Sequence, residues 1–155
     1  MGRSGLREVA VMLTDLCVYT IKHSDNLRRS DEGGGRDTYT ENKRWVRTRN
    51  LLDVAKRSGE TLPVVFAPAE GTRTLFAWAI LEEVVVGEKT TRYTFSNLRP
   101  FSKRYRKSRL KKASDGESLA QDFIRPYAIC VTPSFLKSMA EKTRRRRGAH
   151  LGQIG

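Results

Sequence analysis

Between Arg99 and Lys112 the chain reads RPFSKRYRKSRLKK, and Arg99, Lys103, Arg104, Arg106, Lys107, Arg109, Lys111 and Lys112 follow one another there with no acidic residue between them. Such side chains neutralise phosphates and release the counterions condensed on them, while rings such as Phe101 and Tyr105 can cover sugars or stack on bases. The chemistry that fits is nucleic-acid binding, with those cations as phosphate partners. A solvated loop that only aids solubility is the plain alternative. Whole-chain charge weighs against it: 30 Lys+Arg stand against 17 Asp+Glu, a formal net charge of +13, so a partner reached by long-range attraction is polyanionic. A membrane is the weaker rival, because the cations are interleaved with polar residues and lack the wide apolar face of an interfacial helix.

Catalytic constellations are harder to assemble. The sequence has two histidines, His23 and His150, which argues against metal sites and His-based nucleophilic mechanisms that need several convergent groups. Glu82 and Glu83 are neighbours on a strand-like run and point to opposite faces, and Asp115, Glu117 and Asp122 flank a polar turn. Neither GxxxxGK[ST] nor GxGxxG occurs. Cys17 and Cys130 sit in apolar runs without a CxxC or Cys/His cluster and read as reduced, buried hydrophobes. No cofactor and no metal are expected, and the residues favour a binding module over an enzyme.

Positioning such a surface falls to one domain, expected over residues 1–143, since 155 residues are too few for two comfortable cores. LCVYTIK, Leu16 to Lys22, reads as a first strand. His23 to Asp37, with three consecutive glycines, reads as a mobile loop. Thr38 and Glu41 have capping-box spacing and Gly59 is placed to stop a helix, so an amphipathic helix is expected from about Tyr39 to Arg57, burying Trp45, Thr48, Leu51, Leu52 and Ala55. LPVVFA, LFAWAILEEVVV and TRYTFSNL read as consecutive antiparallel strands, the second covered on both faces and the third pointing Tyr93, Phe95 and Asn97 one way. RPYAICVT supplies a late strand, and Ser134 opens a short helix. Arg144 to Arg147 begin a basic tail, residues 144–155, expected to be disordered. With no secretory signal and no run of about 20 apolar residues, the expected location is the cytoplasm, with nucleoid or RNA, or the nucleus of a eukaryote.

YTIKHSDN, a Trp near a helix start, NLLDVAKRSG, LPVVFA and TLFAWAIL together resemble the YTH and EVE branch of PUA-like barrels, from about Tyr19 to Leu81 and more loosely to Thr132. The resemblance implies an α+β fold, a small PUA-like (EVE/YTH-like) curved β-barrel with flanking helices, that binds RNA or DNA and holds a modified base between aromatic walls. It places Lys22, His23 and Ser24 on one wall of a base pocket and Trp45 on another, and leaves Trp78 in the core. Asp25 adds a polar group at the loop mouth, or forms an Asx turn there. Asn97 reads a base edge, or satisfies backbone where its strand ends. The alternatives are a small PUA-like enzyme, an ASCH-like nuclease or nucleoside hydrolase, although a GxKxxExR-like motif is lacking, and a basic RNA-associated structural protein. DNA and RNA are left undistinguished, because contacts to the 2′-hydroxyl separate them.

Overall fold

β-Branched and aromatic residues dominate Leu16–Lys22, and this segment is the first strand, β1. The computed structural model describes residues 15–22, 37–69, 71, 73–120 and 125–138. Around β1 the chain adds β2 (Asp37–Glu41), helix α1 (Val46–Arg57), β3 (Leu62–Pro68), β4 (Thr74–Val86), β5 (Thr91–Arg106), a 3₁₀ turn at Lys107–Arg109, β6 (Lys111–Lys112) and β7 (Ala128–Val131). A second helical stretch covers residues 134–138. The fold is α+β. Its strands form one mixed sheet in the order β2-β5-β4-β3-β1-β7-β6, with β1 parallel to β3 and antiparallel to β7. No pairing between β2 and β6 closes it among the described residues.

Alternation along the central strands splits the core in two. Val64 and Phe66 of β3 and Ala77, Ala79 and Leu81 of β4 join Leu52 of α1 in one cluster. Val65, Trp78 and Ile80 join Cys17, Tyr19, Leu110, Leu119 and Leu136 in the other. Adjacent strand residues point to opposite faces, so α1 covers one face and the segments around Leu110, Leu119 and Leu136 cover the other. The near-continuous apolarity of β4 is explained by that double cover. Trp78, 2 % exposed, is a core residue. Curvature brings strands that are distant in the sheet together, since Tyr93 of β5 stacks on Tyr127, just before β7, with ring centroids 3.5 Å apart.

Two expectations are corrected. Residues 37–41 are not the start of a helix: they pair with Thr91–Phe95 of β5, from Asp37↔Phe95 to Glu41↔Thr91. The alternating Thr-Tyr-Thr run suits a strand, and the ladder offered by β5 outweighs the capping-box spacing. Helix α1 begins at Val46, with Trp45 as its N-cap, and buries Thr48, Leu52 and Ala55. It stops as foreseen at Gly59 (φ 72°), where Gly59 N–H donates to Lys56 O and Glu60 N–H to Ala55 O, a Schellman arrangement. The third long strand does not end at Leu98 but continues to Arg106. Its pairing with β4 is broken by bulges. Two steps along β4, Leu75 to Ala77, are matched by five along β5, Tyr105 back to Pro100, so Phe101 to Arg104 swell out of the ladder. The loop expected after β1, over residues 23–36, and the tail expected at residues 144–155 lie outside the described residues.

Candidate nucleic-acid interface

Thr91, at the start of β5, fixes the entry to α1. Its Oγ1 accepts from the Trp45 backbone N–H at 2.8 Å and donates to the Lys43 carbonyl at 2.6 Å. Arg44 Nε donates to the Gly87 carbonyl in the β4–β5 turn at 3.0 Å. These bonds seat the Trp45 ring, half-buried, beside Tyr127, with centroids 6.1 Å apart and planes at 51°. Tyr127 is itself pinned: it is 2 % exposed, stacked on Tyr93, and held at φ 60°. For a bulky residue that left-handed angle is a strained state kept only by its surroundings.

Beside these rings opens a cavity of about 440 Å³, lined by Arg44, Trp45, Val46, Arg47, Thr48, Lys112, Ser114, Arg125, Tyr127, Ala128 and Ile129. Among the described residues its charged lining is four cations, with no carboxylate, histidine or thiol. The Arg125 guanidinium lies over the Trp45 ring at 5.8 Å, a cation–π contact on a planar face. Lys112 is partly neutralised by Asp115, at 2.9 Å. The Glu117 backbone N–H, and after it Lys112, holds that exposed carboxyl below its ordinary value. Trp45 Nε1 is buried and has no hydrogen-bond partner among the described residues, a penalty of about 1–3 kcal/mol that a bonded acceptor would remove.

Of the expected base-pocket residues, Trp45 lines this cavity. His23, Ser24 and Asp25 lie outside the described residues. Lys22 is on the same sheet face but is 2 % exposed and does not line the cavity. Its Nζ sits 5.6 Å from the Phe66 ring and 5.4 Å from the Phe95 ring. Asn97 is elsewhere again, at φ 54° in the bulge between Ser96 and Arg99, and does not line the cavity. Nearby, the Ser96 hydroxyl donates to the Glu82 carboxylate.

Among the expected phosphate partners, Arg99, Lys103, Arg104, Arg106, Arg109 and Lys111 are exposed, and Lys112 reaches the cavity. Lys107 is corrected. It is 1 % exposed, with Nζ 5.8 Å from the Tyr19 ring, because the 3₁₀ turn after β5 rotates it inward. Sequence reasoning missed Arg44, Arg47, Arg125 and Tyr127 as cavity residues. The basic outer side of α1 hinted at the first two, and Pro126 before an aromatic at a strand entrance was the available hint for the last.

No family model matches the chain, and no curated protein does. Among solved structures, the YTH domain of the Zygosaccharomyces rouxii MRB1 protein in complex with N6-methyladenosine RNA is similar at 12% identity, over 82% of this chain and 86% of that chain, with a TM-score of 0.42. An overlap this loose transfers neither residues nor ligand.

Proposed function

We propose that this chain is a nucleic-acid-binding module that holds a base, in a modified form, in the cavity bordered by Trp45 and Tyr127. The observation that carries the reading is the lining, two aromatic rings and four cations around about 440 Å³, with no carboxylate among the described residues, a volume in the range of small-molecule sites. The sequence resemblance to the YTH and EVE branch of PUA-like barrels points the same way.

A planar base entering this cavity stacks on Trp45 at the face where Arg125 now lies, for about 1–3 kcal/mol. Arg44, Arg47, Lys112 and Arg125 then take the flanking phosphates. An added methyl group buried against the rings is worth about 0.8 kcal/mol, roughly a fourfold preference at about 1.4 kcal/mol per tenfold. Stronger discrimination requires polar contacts to the edge of the base.

The test is a binding panel of DNA and RNA oligonucleotides, plain and with modified bases including N6-methyladenine and 5-methylcytosine, with wild type and Trp45→Ala. Trp45→Ala is expected to lose about 1–3 kcal/mol on the preferred base and to keep weak, salt-sensitive binding to plain strands. A variant that is folded by its melting temperature and has unchanged selectivity overturns the reading. General loss of stability, about 3–5 kcal/mol for a core Trp, would instead make Trp45 a packing residue.

A further inference from the structure

The swelling of β5 carries a second group of cations, and the rings among them lie on the side of the sheet away from the cavity. Phe101 and Tyr105 pack with the core cluster that contains Tyr19, Leu75 and Trp78, whereas Trp45 and Tyr127 belong to the opposite cluster. Phe101 meets Tyr105 edge-on at 5.1 Å and Phe135 at 5.7 Å, and Tyr105 stacks on Phe135 at 3.8 Å. Arg109 lies over this group, 4.9 Å from Phe135 and 5.3 Å from Tyr105, and Lys103 Nζ is 5.8 Å from Tyr105. A guanidinium held on rings keeps its N–H edges free for bidentate phosphate contacts. Arg99, Lys103, Arg104, Arg106 and Arg109 are exposed, and none is in an ion pair with a carboxylate among the described residues. A surface that spends no carboxylate on its own cations keeps its field for a partner.

We infer that this protruding segment of β5 is a separate binding surface for the phosphodiester backbone, so that one protein molecule holds a second nucleic-acid segment while the cavity is filled. The inference goes beyond the cavity reading and shares with it the class of partner. Nucleic acid is favoured over a membrane because the large hydrophobics exposed among the described residues, Val85 and Val131, lie on other strands and form no apolar face here.

The experiment measures stoichiometry and salt dependence with a plain 12-nucleotide single strand, for wild type, Trp45→Ala, and the triple variant Lys103→Gln, Arg104→Gln, Arg106→Gln. Wild type is expected to take two strands per chain at low salt and the triple variant one. In the triple variant the affinity for the second strand falls roughly tenfold or more, and the log–log salt slope falls by about 0.7 for each lost contact. Its ratio of modified-base to plain-base binding stays that of wild type. The charge-keeping set Lys103→Arg, Arg104→Lys, Arg106→Lys restores the second strand, which separates charge from folding. Unchanged stoichiometry and slope in the triple variant overturn the inference. So does loss of both strands together with the base preference, which would mean one continuous site, and so does failure of wild type to bind any strand. A fall in binding to phosphatidylserine vesicles without a fall in strand binding overturns it in favour of a membrane. If no base is preferred in the panel while the triple variant still loses the second strand, the cavity reading fails and this one stands.

Discussion

At Tyr127 the backbone sits where glycine is at ease and tyrosine is not (φ 60°), and the Tyr93 and Trp45 rings hold it there. Both Tyr127→Ala and Tyr127→Gly lose the stack, by about 3–5 kcal/mol, but glycine also relieves a left-handed angle worth roughly 1–2 kcal/mol. Tyr127→Gly is therefore expected to melt no lower than Tyr127→Ala, against the usual order of these residues, as thermal unfolding of the pair would show. Cys17 and Cys130 face one another across β1 and β7 as buried free thiols. Burial pushes the Cys17 thiol well above its ordinary value, helped by Cys130, and pushes Cys130 from 9.0 up to about 12. With folded values raised, the stability contributed by the neutral thiols is complete below pH 9 and is lost as pH rises toward about 12. Urea unfolding from pH 7 to 11 should show this loss, and Cys130→Val should flatten it.

At the scale of elements, the N-terminus of α1 depends on a side chain from another strand. Thr91→Val removes both the acceptor for Trp45 N–H and the donor to Lys43 O, and is expected to cost about 1–2 kcal/mol, as cap removal does. It should also weaken binding to the preferred base, because the same two bonds seat the Trp45 ring; a stability loss with unchanged selectivity would show that the ring is seated by packing alone. The sequence made the apolar strands, the C-terminal half of α1 and the Gly59 stop legible, because each rests on local chemistry. It hid β2, whose Thr38–Glu41 spacing imitates a helix start until β5 is there to pair with it. It also hid the cavity. Arg44, Lys112, Arg125 and Tyr127 converge only when the sheet curves, and no window of neighbouring residues contains that curvature.

For the whole molecule, the proposed function expects charge to govern affinity and the rings to govern choice. If a strand long enough to cross both surfaces makes six to ten phosphate contacts, its affinity is expected to fall by about 10³–10⁵ between 50 and 200 mM salt, while the ratio between preferred and plain bases stays nearly constant. Titrations at four salt concentrations with two ligands would check both statements. One feature of the sheet bears on how the molecule comes to exist at all. β1 lies between β3 and β7, so one of its edges is covered only by a strand far along the chain, and everything from Lys22 to Ala128 must be made before that ladder can close. At about 5–20 residues per second of synthesis, β1 waits on the ribosome for several seconds with one edge unpaired. Its apolar face is then a liability of birth, a surface for chaperones or for a neighbouring nascent chain.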